Sequence, residues 1–296
     1  MKSWLHAARL RTLPLASSSI ILGSALALSQ QAFSWPVLVL ALVTALLLQI
    51  LSNLANDYGD AVKGVDDDSR VGPQRAIQAG LLSPQQMLRA ILVVALLSVV
   101  SGLSLLATSL GGHWQAWLGF IGLGGLAIVA AMAYTMGAKP YGYRGFGDIS
   151  VFLFFGLLGV MGCYYLHTQS MSFTVCLVAA ANGLLATAVL NINNLRDFKP
   201  DQQAGKLTLA VRLGEQLARY YHLALVFGAL LLFAIYIVLQ APTSLAWLYL
   251  LPAMALIKVA LTVFRHHQHQ ILDQQLQATA KLSFVLALVF SAGLQF

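Results

Sequence analysis

Charge is what this sequence has least of. Only 9% of its 296 residues are Asp, Glu, Lys or Arg, while 59% are hydrophobic. Soluble domains carry about 25% charged residues, so a single water-soluble core is excluded and an integral membrane protein is indicated. Cysteine is nearly missing as well. Cys163 and Cys176 both lie in apolar runs, where they read as small core residues rather than as a disulfide or metal framework. No cleavable leader is expected, because Lys2, Arg9 and Arg11 precede an apolar run that continues to Leu28 with no small-residue cleavage site.

What is present is a series of long apolar stretches. A membrane-crossing helix needs roughly 20 such residues, and nine segments qualify, at roughly 13–30, 36–56, 90–110, 114–134, 148–167, 172–193, 222–240, 243–263 and 280–295. They are continuous rather than alternating, so helices are expected and not a barrel. The fold class expected is therefore an all-α integral membrane protein forming a single domain over residues 1–296. Its loops on the charged face run at about 57–89, 135–147, 194–221 and 264–279.

Charge placement sets the expected topology. With Lys258 excepted, every Lys and Arg falls on the side of the N-terminus or at its border, and the loops on the other side contain none. The positive-inside rule makes the charged side cytoplasmic. The formal net charge of +7 follows from this asymmetry, and no nucleic-acid partner is needed to account for it. All ten Asp and Glu residues share that side, although the rule makes no demand on them. One face of this protein is the working face.

Two segments on that face stand out. The first runs Asn53-Leu-Ala-Asn56-Asp57-Tyr58-Gly59-Asp60 and on through Asp66 and Arg70. The second runs Asn191-Ile-Asn193-Asn194-Leu-Arg196-Asp197 and on through Asp201 and Lys206. Both carry Asn-x-x-x-Asp at the end of an apolar run, and Asn56/Asp60 precede Asn193/Asp197 by 137 residues. This weak internal symmetry is what two related helical bundles around a central cavity would show. Residues four apart share a helix face, so each Asn points with its Asp. Asp201 joins them if the helix survives Pro200. Oxygen ligands of this kind suit Mg²⁺, which takes one or two carboxylates together with phosphate oxygens. Neighbouring Lys and Arg side chains offer countercharge to phosphates. The bland alternative is solvated loops whose charges pair with one another; duplication of the motif at two apolar helix ends argues against it.

These strings resemble the UbiA superfamily of membrane prenyltransferases. The resemblance is carried by Arg11-Thr-Leu-Pro-Leu-Ala16, by Asn53 to Asp60 with Gly64 and Asp66, and by Tyr134-Thr-Met-Gly137 with Gly145-Phe-Gly-Asp148. Asn193 to Asp197, continuing through Gly205 to Gly214, completes it. The common superfamily form has an Asp four residues beyond Asp60, where this chain has Gly64. In that departure it is similar to the branch whose acceptor is 1,4-dihydroxy-2-naphthoate. The resemblance implies transfer of a prenyl group from a polyprenyl diphosphate to that ring, with loss of CO₂ and diphosphate. It implies Mg²⁺ held by Asn56, Asp57, Asp60, Asp66, Asp197 and Asp201, and diphosphate contacts from Arg70, Lys139, Lys206 and Asn193. Tyr134 is expected at the diphosphate or the cavity, and Asp148 at the aromatic hydroxyl or, alternatively, as a plain helix N-cap. Prenyl chain length and oligomeric state are not specified by these motifs.

Other features read blandly. His266, His267 and His269 have irregular spacing and suit a polar loop better than a metal site. Trp35, Trp114, Trp117 and Trp247 fit an aromatic belt at the far boundary. A secondary transporter would need polar groups near the bilayer midplane and access from both sides, which this one-faced charge pattern does not offer. An acceptor such as 4-hydroxybenzoate is the nearer alternative, since a fold does not choose its acceptor.

Overall fold

The computed structural model describes residues 2–64, 74–240 and 243–296. Among these, nine helical stretches are long and apolar enough to cross a membrane, and they coincide in order and place with the expected spans. The first is the short α1 (Lys2–Ala8) continued by α2 (Leu13–Ser29). Then come α3 (Trp35–Val62), α4 (Pro84–Ser109) and α5 (Trp114–Ala133). The fifth span is composite, with α6 (Gly147–Val151), a π-helical stretch Phe152–Gly162 and α7 (Cys163–Thr168). It is followed by α8 (Val175–Arg196), then the short α9 (Phe198–Gln203) and α10 (Leu209–Leu213). The last three spans are α11 (Glu215–Gln240), α12 (Leu250–Arg265) with its 3₁₀ lead-in, and α13 (His269–Gly293).

Several helices run well past their apolar runs on the charged face. α3 continues through Asn56 and Asp60 and stops only at Lys63–Gly64, where Gly64 takes φ +66°. That left-handed conformation favours glycine, which gives the Gly64 departure a structural reason. α4 starts cleanly because Ser83 and Gln86 form a reciprocal capping box behind Pro84.

Packing divides the chain into two neighbourhoods. Leu51, Leu54, Ala76, Met87 and Ile91 build a core between α3 and α4 near the charged face. A larger core, with Leu185, Ala188, Val226, Phe233 and Phe290, joins α8, α11 and α13. α8 is the most enclosed span, whereas α5 fully buries only Ala127. Burial of apolar area drives neither contact in lipid, so close approach at small residues matters more. A Cβ on Gly156 would lie 2.8 Å from the Cα of Gly183, so α8 and the fifth span touch backbone to backbone. The π stretch has a visible cause there. The Phe155 carbonyl accepts from Ser19 Oγ at 2.6 Å and from Asn182 Nδ2 at 2.8 Å, so it is satisfied from outside its own helix. Lys258, on the exposed side of α12, faces away from the interior.

Candidate diphosphate and metal site

The first half-site is the C-terminal end of α3. Asn56 and Asp60 share a face, as the four-residue spacing requires. The Asp60 carboxylate is buried, with Arg75 Nη2 at 2.5 Å from Oδ2 and the Tyr143 hydroxyl donating to Oδ1. Asn56 Oδ1 accepts from Thr135 Oγ1 at 3.1 Å, and Arg75 donates to the Asn56 carbonyl. The loop after α5 is thereby sewn to α3. Asp57, expected among the metal ligands, has other partners in this structure. It lies about 100° further round the helix than Asn56, and its carboxylate accepts the backbone N–H of Ala76 at 2.9 Å and of Ile77 at 3.4 Å. It anchors the turn after Arg75 instead of facing Asp60's partners.

The second half-site crosses a helix break. α8 ends at Arg196 and α9 begins at Phe198, yet the backbone bonds Asp197 N to Asn193 O (3.0 Å) and Asp201 N to Asp197 O (2.8 Å) continue the ladder. Pro200 falls in the first turn of α9, where a missing N–H costs nothing. Asn193, Asp197 and Asp201 are therefore in line. Arg196 grips Asp197 bidentately at 2.8 Å from each oxygen, reaches Asn193 Oδ1 at 2.9 Å, and pairs with Asp273 of α13 at 2.6 Å. Asn193, expected at the diphosphate, accepts from Arg196 through its side-chain Oδ1. Asp201 differs from its neighbours. Lys206 Nζ stands 3.5 Å from Oδ1, while the buried Oδ2 has no hydrogen-bond partner.

Three contacts bring the half-sites together. Lys63, at the end of α3, lies over the Tyr143 ring at 4.9 Å from its centroid, and Lys206 lies over the same ring at 5.3 Å. The backbone N–H of Leu207 donates to the Tyr143 carbonyl at 3.0 Å. Burial pushes the Asp201 carboxyl up to about 6 against the pull of Lys206, and the charges of Asp197 and Asp60 add to the rise. Carboxylates from both halves therefore act on one another.

Tyr134 stands between them. Burial holds its hydroxyl far above the ordinary tyrosine range, and Asp148, Tyr141, Asp60 and Asp201 reinforce this, so the group remains a donor. Its position is set by close approach of two glycines. A Cβ on Gly142 would come within 2.7 Å of the Tyr134 carbonyl, and one on Gly147 within 2.8 Å of its hydroxyl. Asp148 is not the N-cap of α6, a place taken by Phe146 without a side-chain bond. It lies within the first turn and is buried, with neither carboxylate oxygen in a well-formed hydrogen bond and the Tyr221 hydroxyl of α11 beside it.

Three more residues were expected at the site. Lys139 is exposed on its turn and makes no ion pair or hydrogen bond among the described residues. Asp66 and Arg70 lie outside the described residues. The sequence reading passed over Tyr143 and Asp273. Asp273 carried a usable signal, being the one acidic residue after Glu215 and standing at the head of an apolar helix. Tyr143 carried none, since its loop has no periodicity.

The arrangement accommodates a divalent cation. Buried carboxylate oxygens outnumber their donors at Asp201, and charges of one sign crowd at Asp60, Asp197 and Asp201. Among the described residues no three His, Cys, Asp or Glu side chains converge tightly enough to hold an ion by themselves. A site completed by phosphate oxygens is the usual Mg²⁺ solution. Among the described residues, nine apolar helices and the acidic and basic groups gathered at the ends of α3 and α8 define an integral membrane protein with one polar site.

Comparison with known proteins narrows that class. The UbiA prenyltransferase family model matches residues 17–288. The chain is 48% identical to 1,4-dihydroxy-2-naphthoate octaprenyltransferase of Escherichia coli (strain K12), over 99% of this chain and 95% of that one. It is 46% identical to the Haemophilus influenzae protein of the same name, over 99% and 96%. Among solved structures, a UbiA homolog from Aeropyrum pernix K1 aligns with a TM-score of 0.69 at 16% identity, covering 95% of this chain and 96% of that one. A UbiA homolog from Archaeoglobus fulgidus, bound to GPP and Mg²⁺, aligns with a TM-score of 0.61 at 16% identity, covering 99% and 100%. The chain belongs to the UbiA prenyltransferase family and is a membrane prenyltransferase.

Proposed function

We infer that this protein transfers a polyprenyl group from polyprenyl diphosphate to 1,4-dihydroxy-2-naphthoate, releasing diphosphate and CO₂ and forming demethylmenaquinol in menaquinone biosynthesis. The acceptor follows from full-length relatives of that activity at 48% and 46% identity. The observation that carries the mechanism is the meeting of the two half-sites at Tyr143, with Lys63 and Lys206 over one ring.

Asn56, Asp60, Asp197 and Asp201 are the residues that would hold Mg²⁺, and Lys63 and Lys206 flank the place for the diphosphate. When bound, Mg²⁺ neutralises charge that builds on the departing diphosphate. The lysines act on the same charge, so the allylic C–O bond breaks with its electron pair leaving on the diphosphate. Tyr134 donates its hydroxyl toward the site from between the halves, and its ring lines the place where the allylic cation forms. Apolar helices around it exclude the water that would quench that cation. The ring carbon bearing the carboxylate attacks and a C–C bond forms. CO₂ then leaves, and the electrons of the broken bond restore the aromatic ring. No net proton is consumed. Asp148 takes the hydroxyl proton of the acceptor during attack and returns it afterwards, with Tyr221 as its neighbour.

The positive-inside pattern supports a cytoplasmic charged face, and the bacterial relatives support the bacterial inner membrane as its location. Purified protein, Mg²⁺ and a polyprenyl diphosphate, supplied with either the naphthoate or 4-hydroxybenzoate, test the acceptor. CO₂ release and prenylated product are expected with the naphthoate only. Turnover of the benzoate alone would overturn the assignment.

A further inference from the structure

Tyr143 belongs to neither acidic motif, yet it contacts both halves of the site. Its hydroxyl donates to Asp60, and its ring carries Lys63 from the first half and Lys206 from the second. Its carbonyl accepts the Leu207 N–H, which fixes the segment holding Lys206 to the segment holding Tyr143. Lys206 in turn reaches Asp201. A single side chain thus lies on the path between an α3 carboxylate and an α9 carboxylate.

We propose that Tyr143 is a diphosphate-contacting residue that presets the two lysines and exchanges its own hydrogen bond on binding. The electron-rich ring attracts both ammonium groups, which lowers the cost of bringing two like charges to one residue. A cation taken up by Asp60 removes the acceptor of the Tyr143 hydroxyl. That O–H then donates to a diphosphate oxygen, an anionic acceptor of comparable strength. No covalent bond changes. The inference rests on the assignment of these half-sites to a diphosphate, and it adds a residue that the acidic motifs do not contain.

The test is calorimetric titration of full-length protein in detergent with inorganic diphosphate and Mg²⁺, with no prenyl chain and no acceptor. Y143F keeps the ring and loses the donor; binding is expected to weaken roughly fivefold. Y143L loses the ring as well and is expected to weaken binding roughly tenfold or more. The naphthoate's own affinity is unchanged in both, and in turnover the donor KM rises while kcat stays within about twofold. Equal or tighter diphosphate binding by Y143F overturns the proposal. So does an equal loss for diphosphate and naphthoate, which would mark a structural role. Should Y143L fail to fold, Y143F decides alone, since it differs by one oxygen atom. If wild-type protein binds no diphosphate, both this inference and the half-site assignment fall. If it binds diphosphate but does not prenylate the naphthoate, only the acceptor assignment falls.

Discussion

The two half-sites share a motif and a helix-end setting, but they hold their charges by different means. At the end of α3, Asp60 is met by groups from elsewhere, Arg75 and Tyr143. At the end of α8, Asp197 is held by its own neighbour Arg196, which α13 steadies through Asp273. The first site depends on loops and the second on an enclosed helix. A repeated string therefore encodes where carboxylates stand but not what neutralises them. The partners of Asp60 come from segments between the spans, whereas Arg196 belongs to the buried end of α8 itself. Cation and diphosphate uptake should rearrange the first half more than the second.

The sharpest way to break the comparison is to remove one carboxylate from each half. Asp60→Ala and Asp201→Ala should each lower turnover on the order of a thousandfold while the protein still folds. Near-normal turnover in either, measured with saturating donor, would show that the half-sites are not jointly used. Next in size is Arg196→Met. It leaves Asp197 and Asp273 facing each other without their shared cation, at a cost of about 3 kcal/mol. Arg75→Met should cost less, because Arg75 comes from a turn between spans, although its partners Asp60 and the Asn56 carbonyl belong to α3. Melting temperatures of the two variants in the same detergent decide it, and an equal fall removes the contrast between enclosed and loop-held charge.

A smaller effect separates two lysines. Lys206→Ala should raise the donor KM roughly tenfold, whereas the exposed Lys139→Ala should change it less than about twofold. Steady-state kinetics with a fixed naphthoate concentration gives both, and a larger effect at Lys139 would place the diphosphate elsewhere. Smallest is Asp57→Asn, which weakens the anchoring of Ala76 and Ile77 by about 1 kcal/mol. Turnover should persist. A loss as deep as that of Asp60→Ala would make Asp57 a metal ligand after all.

Much of this was legible in the residues. Nine long apolar runs and the absence of charge between them leave little choice but spanning helices. The four-residue spacing placed Asn56 with Asp60, and the same periodicity carries the warning about Asp57, whose neighbouring position turns it to a different face. Asp201 was conditional on Pro200, and the backbone bonds across the α8–α9 break show why a proline in a first turn is tolerated. The π stretch of the fifth span was not legible, because its cause is a carbonyl satisfied by Ser19 and Asn182 from other helices. Arg75 and Tyr143 come from irregular segments that periodicity does not describe.

The sequence by itself determined the membrane class, the order of the spans and the gathering of both charge signs on one face. Hydropathy and helical repeat act locally, and local patterns can be read along a chain. Only the tertiary structure decided which carboxylates are capped, which are paired and which retain a buried oxygen without a partner. Those outcomes depend on groups far apart in the chain: Asp60 meets Tyr143, and Arg196 meets Asp273. Their proximity is set by how the helices pack, and no single segment contains that information.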